Sequence, residues 1–175
     1  MDFEGVTVST LDVVYGTSIT IDSNNDPMIG GWFLVNTDVG VAADTGAQNG
    51  DDIEVFVAKY SNSGNLQWYD VARGQGAQEV NSMVVDSSNS IWISTNFEVS
   101  MTFVSVVANA GINEIPVGIA KISQSGNWQS AYATTGSGSA TVTDFSIDGQ
   151  NNLLMSGVYS GSINLGSSLS SAGQS

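Results

Sequence analysis

The chain has 175 residues, 41% of them hydrophobic and only 11% charged, with seventeen acids against Lys59, Arg73 and Lys121 and a net charge of −14. That length and apolar content exclude intrinsic disorder and suffice for one packed domain, while the missing basic footprint excludes nucleic acid and anionic membrane surfaces as partners. The absence of cysteine and histidine removes disulfides, thiolate chemistry, the commonest zinc ligand and the usual serine triad, and no apolar run reaches the roughly 18 residues that insert across a bilayer.

Taken in chain order, the apolar residues alternate or run in short stretches bounded by Gly, Asn, Asp and Ser. No ten-residue stripe has helical spacing, so the elements read as strands. Residues 1–15 are a lead-in with one strand at Met1–Ser9. A first unit, residues 16–79, carries strands at Ser18–Asp22, Met28–Phe33, Val55–Tyr60 and Leu66–Ala72. A second, residues 80–141, carries Ser82–Asp86, Ile91–Phe97, Val117–Ile122 and Trp128–Thr134. A third, residues 142–175, begins again with Phe145–Asp148 and Leu153–Tyr159 and stops short of its third strand. Long connections, Leu34–Ile53 and Glu98–Ile115, join second strands to third strands, and the latter holds an extra strand at Thr102–Ala108.

These units are copies. Val55–Asn65 reads VFVAKYSNSGN and Val117–Asn127 reads VGIAKISQSGN, so a shift of 62 sets Lys59 on Lys121 and Gly64 on Gly126. The same register sets Asp86 on Asp148 and Asn89 on Asn151, and a shift of 64 sets Asp22 on Asp86 and Phe33 on Phe97. A repeat of this length, holding several strands, indicates stacked supersecondary units that bury their apolar faces on one another.

The turns have chemical reasons. Asp22-Ser23-Asn24-Asn25, Asp86-Ser87-Ser88-Asn89 and Asp148-Gly149-Gln150-Asn151 open with an Asp that bonds forward to the backbone and close with an Asn that tolerates the left-handed conformation. Ser-Gly-Asn at 63–65 and 125–127 makes a second tight turn, with Gly supplying positive φ. Asp22, Asn24 and Asp26 also have the alternating oxygen spacing of a calcium loop. Pro27 replaces the required Gly and Phe33 stands where the bidentate Glu belongs, so a hairpin turn is the preferred reading. No cofactor is expected, calcium at this loop being the one alternative.

The repeat resembles the bacterial seven-bladed β-propeller (SBBP) repeat family. The resemblance rests on Asp22, Asp86 and Asp148, on Val57-Ala58-Lys59 and Ile119-Ala120-Lys121, and on Gly64 and Gly126. Asn25, Asn89 and Asn151 depart from it, standing where the family has Gly, and Trp68 has no counterpart at Ser130. The resemblance implies an all-β fold of consecutive four-stranded antiparallel blades, about two and three-quarter of them here. It also implies an extracellular or cell-surface setting without catalysis. Since so few blades close no ring, further blades in the same or another chain are the expected partners.

In such a blade the long loops and the connections between units emerge on one face, where propellers commonly bind ligands. Asp38, Asp44, Asp51, Asp52 and Glu54 gather there in the sequence, and Arg73, Gln75, Gln78 and Glu114 join them. A cation or a glycan is the ligand that cluster suits, a solvated acidic loop its plainer reading. Lys59 and Lys121 recur once per unit, which assigns them to the blade, lying over a neighbouring strand with the ammonium in water. Trp32, Trp68, Trp92 and Trp128 could each stack on a sugar, but packing in the core or between blades is the preferred reading: Trp92 is expected between blades, and exposure is easier for Trp68 and Trp128 on the outermost strand.

No G-x-S-x-G and no base to activate a nucleophile occur. The expected function is non-catalytic adhesion, binding or structural assembly, with a glycan or surface protein as partner. A carbohydrate-binding module is the second reading, and a glycan-cleaving enzyme using two carboxylates is the third.

Overall fold

The computed structural model describes residues 13–34, 53–103, 106–109, 115–165 and 168–170, and every regular element in them is a β-strand. Strands β1 (Val13–Ile21), β2 (Pro27–Leu34), β3 (Ile53–Tyr60) and β4 (Leu66–Gln75) lie side by side in chain order as an antiparallel sheet. The chain then forms β5 (Gln78–Val85), β6 (Ile91–Phe97), the short pair β7 (Ser100–Phe103) and β8 (Val106–Asn109), β9 (Val117–Ile122) and β10 (Trp128–Ala133). Of these, β5, β6, β9 and β10 make a second four-stranded sheet. Next come β11 (Thr135–Gly136), β12 (Ser139–Ile147), β13 (Leu153–Ser160), β14 (Ser162–Asn164) and β15 (Ser168–Ser170). The pair β12–β13 starts the pattern a third time, and β11, β14 and β15 form a small sheet of their own. All pairings are antiparallel, and among the described residues no sheet closes on itself.

One expected strand, Thr102–Ala108, is two. It is the hairpin β7–β8, and it extends the first sheet rather than its own, with Arg73 opposite Thr102 and Gly74 opposite Met101. The end of β4 has no partner left within its own sheet, so the hairpin of the following unit supplies one. The third unit repeats the device, β14 pairing with β11. The expected strand at Met1–Ser9 lies outside the described residues.

The sequence repeat is a repeat of local geometry. Each unit's first strand carries a register slip at one position, between Gly16 and Ser18, Val80 and Ser82, and Val142 and Asp144. There the first strands of adjacent units meet. Thr17 Oγ1 donates to the Val80 carbonyl at 2.6 Å, and Ser82 Oγ accepts from Phe145 N at 3.1 Å. Asn25, Asn89 and Asn151 have φ of 62°, 57° and 63°, the left-handed conformation the turn requires. Asn does more here than glycine does. Asn89 accepts from Ser23 N (3.1 Å) and donates to Ser23 Oγ (2.9 Å), and Asn151 does the same to Ser87 (3.2 and 2.6 Å). A side chain in each turn thus grips the preceding turn.

Burial follows from stacking. A strand with one wet face alternates between buried and exposed, yet β3 is buried at seven successive positions from Glu54 to Tyr60. Val55 and Val57 face the second sheet, in a core with Met28, Met83, Ile93, Phe97 and Ile122. Phe56, Ala58 and Tyr60 point the other way and cluster with Phe33. A further core, with Val117, Ile119, Val142 and Phe145, joins the second sheet to the third unit. Packing between sheets is close. A Cβ at Gly30 would collide with the Met83 sulfur, and one at Gly126, whose φ is 86°, would lie 2.8 Å from the Trp68 ring.

The outer tryptophans are drawn into the same packing. Trp68 is half-buried against the first inter-sheet core, and its indole donates to the Gln124 carbonyl of the second sheet's turn at 2.9 Å. Trp128 packs against the same core and meets Phe103 edge-on, centroids 5.4 Å apart. Both therefore follow the preferred packing reading rather than the exposed one, the outermost strands being long enough to reach the neighbouring sheet. Trp92 packs between sheets as expected.

Candidate functional site

The ionic centre of each unit is built on its first turn. Asp22 Oδ1 accepts from Asn24 N (2.8 Å) and Asp26 N (3.0 Å), and Oδ2 receives the Lys59 ammonium at 2.7 Å. Asp86 repeats this with Ser88 N (2.9 Å), Ser90 N (3.0 Å) and Lys121 (2.8 Å). Asp148 keeps the two backbone bonds, to Gln150 N (2.8 Å) and Asn152 N (2.9 Å), and adds the Asn152 amide at 2.8 Å.

The expectation that the lysine ammonium lies in water is therefore corrected. Lys59 is 2% exposed, and Asp26 also comes within 3.6 Å. The Lys121 ammonium keeps partial exposure and lies 5.1 Å from the centre of the Trp92 ring. The lysine reaches inward because the strand order sets it one strand from the turn whose Asp is buried, and a buried carboxylate demands a counter-charge.

Burial by itself would raise the Asp22 carboxyl. The Lys59 hydrogen bond, the Asp26 and Asn24 N–H groups and the lysine's charge outweigh it and hold the group below its ordinary 3.8. Asp86 is lowered by the same set around Lys121, again against burial, and Asp148 chiefly by its bonds from Asn152. Because the folded values lie below the unfolded ones, the unfolded chain binds more protons across that interval. The stability these bonds contribute is complete above the unfolded value and is lost as pH falls through the folded one. The melting temperature of the native chain should exceed that of Asp22→Asn by a constant margin above about pH 5 and by a shrinking margin below about pH 4. A margin that widens on acidification would contradict the assignment.

The same contacts bear on the calcium reading. The Asp22 and Asp26 oxygens face N–H donors, Asp26 receiving Asn62 N at 2.9 Å and Gln67 Nε2 at 3.0 Å. Among the described residues, no three or more His, Cys, Asp and Glu side chains gather as a metal group.

Of the expected ligand-binding residues, Asp38, Asp44, Asp51, Asp52 and Glu114 lie outside the described residues. Arg73 lies in β4 beside the β7 hairpin, and the buried Glu54 carboxylate accepts from Gly74 N at 3.1 Å. The convergence of unit connections is visible around Gln78. Ile53 at the start of β3, Phe97 and Glu98 at the end of β6, Ala77 and Ile115 line one cleft of about 240 Å³ with Gln78 and Trp32. Glu98 was not among the expected site residues, and Trp32 was among them only as one of four tryptophans that could stack on sugar. Their signal was available as a break in the repeat, since Trp32 matches Asn96 and Val158, and Glu98 matches Leu34 and Ser160. No family model matches the chain, nor does any curated protein.

Proposed function

We propose that the chain is a segment of a β-propeller-like array, a non-catalytic extracellular or surface scaffold whose units are blades and whose partners are further blades in the same or another chain. The observation that carries this reading is a difference between equivalent positions. Met83 and Phe145, on the faces that meet the preceding unit, are each 6% exposed, whereas their counterpart Ile19 is 64% exposed. On the opposite face, Met28 is fully buried against the following sheet, and its counterpart Leu154 is 53% exposed. At Ile19 and Leu154, the positions that pack at the internal junctions thus stand open at the two ends, as two halves of a contact the chain already makes twice.

Contact between such faces is heterologous, head to tail, and adds units without a change of geometry. The acidic surface suits an exposed setting. Engagement of Trp68, Trp92 and Trp128 in packing supports choosing assembly over sugar binding. Sedimentation should show concentration-dependent association that Ile19→Asp or Leu154→Asp weakens. A folded monomer of 18.2 kDa at every concentration would count against the proposal.

A further inference from the structure

We infer that the outer edge of β13 binds an extended strand from outside these 175 residues, largely apolar and carrying a lysine whose ammonium meets Asp148. The inference rests on the array reading above and names what a partner brings to this edge. In the first unit β2 lies between β1 and β3, and in the second β6 lies between β5 and β9. Their counterpart β13 pairs with β12 alone among the described residues. From Leu153 to Val158 its other edge offers main-chain N–H and C=O groups to an added strand. The lack of cover shows in the side chains. β13 is exposed at every position from Leu154 to Ser160, whereas β6 is buried everywhere except Trp92.

The identity of the missing strand is written in the turn beside it. Lys59 reaches Asp22 Oδ2 at 2.7 Å and Lys121 reaches Asp86 Oδ2 at 2.8 Å. Each lysine arrives on the third strand of its unit, opposite Met28 in one and Trp92 in the other. Asp148 keeps the two backbone bonds of this arrangement, but its Oδ2 receives the neutral Asn152 amide at 2.8 Å in place of an ammonium. A carboxylate oxygen accepts more than one hydrogen bond, so the amide leaves room for a cation. The matching position on β13 is Leu154, and a lysine set opposite it in the same register reaches Asp148.

Packing gives a second, independent sign. In the second unit Ile93 lies opposite Ala120, and Ala120 and Ile122 are fully buried in the core shared with the first sheet. Met155, the counterpart of Ile93, is exposed instead. It borders a cleft of about 220 Å³ whose other walls include Val117 of β9, Val142 of β12 and Ile163 of β14. Apolar side chains on an added strand, at the places of Ala120 and Ile122, find their burial there. A second copy of this chain is the poorer occupant, because its only lysines are already held by Asp22 and Asp86.

The test uses a labelled peptide, acetyl-VGIAKISQS-amide, which copies residues 117–125. Fluorescence anisotropy against the 175-residue chain measures affinity, and amide hydrogen exchange locates the contact. Expected are a Kd of about 100 μM or tighter and slowed exchange between Leu153 and Val158. A peptide with glutamine at the lysine position should bind about fivefold more weakly, the size of a partly exposed ion pair. Asp148→Asn should bind the two peptides alike, and a scrambled peptide should bind the native chain at least about tenfold more weakly.

No binding at about 1 mM peptide overturns the inference. So does binding that leaves exchange in β13 unchanged, equal affinity for the lysine and glutamine peptides, or a lysine preference that survives Asp148→Asn. Slowed exchange in β13 when the chain alone is concentrated, with no response to peptide, would make a second copy the occupant and overturn it too. Sedimentation separates this inference from the reading beneath it. A chain that associates yet ignores the peptide refutes the edge and keeps the array, and a monomer that binds the peptide does the reverse.

Discussion

Lys59→Met should lower the stability of this chain by about 3–5 kcal/mol, a large share of the 5–15 kcal/mol typical of a domain. Methionine retains the apolar stem and loses the ammonium, so the packing of β3 is little changed. What remains is the Asp22 carboxylate, its side chain fully buried and now without the charge 2.7 Å away that offsets its desolvation. Two backbone N–H groups still hold it, which keeps the loss from being larger.

The second unit provides the control. Lys121 makes the same contact with Asp86 at 2.8 Å, but its side chain is 25% exposed, so water shares the solvation and Lys121→Met should cost about 1 kcal/mol. Chemical denaturation of the two variants measures the difference. Equal losses would mean that burial does not govern the pair. Adding Asp22→Asn to Lys59→Met should restore part of the stability, since the unpaired charge is then gone.

Phe97→Ala should cost a similar amount, about 3–5 kcal/mol, through a different cause. Phe97 is 1% exposed and fills the core between the first and second sheets alongside Ile93, Met101 and Phe103. Truncation removes its transfer free energy and leaves a cavity whose walls belong to two sheets, each held in place by its own hydrogen-bonded ladder. Collapse around the void is therefore limited. Tyr159 occupies the same place in the third unit and is 40% exposed, so Tyr159→Ala should cost less than about 1 kcal/mol. Thermal or denaturant unfolding of both variants compares one repeat position where the junction between sheets closes over it and where it stays partly open. A cost at Tyr159 as large as at Phe97 would show that inter-sheet burial is not the source of the stabilisation.

Much of this architecture was legible in the residues. Alternating apolar stretches, Asp-x-x-Asn turns and Ser-Gly-Asn turns are local signals, and each follows from the pleat of a strand or the φ a turn requires. They located the later strands of each unit closely, while each first strand begins four to six residues earlier than expected, and they specified Asn25, Asn89 and Asn151 as the left-handed positions that the structure bears out. Copying those signals at shifts of 62 and 64 also told that the same environment would recur, and Lys59 and Lys121 do share one.

Four matters waited on the tertiary structure: the burial of the lysine on Asp22, the hairpin β7–β8 adding to the preceding sheet, the bridge from Trp68 to Gln124, and the cleft around Gln78. Each joins residues 20 to 60 positions apart in the chain, or on different sheets. Which lysine meets which carboxylate depends on strand order, and whether an outer tryptophan is wet depends on where the next sheet comes to rest. Spacing along the chain carries the first kind of information because a turn or a strand is decided by its near neighbours. It does not carry the second, because desolvation, charge pairing and cavity shape are properties of surfaces that exist only once the sheets have come together.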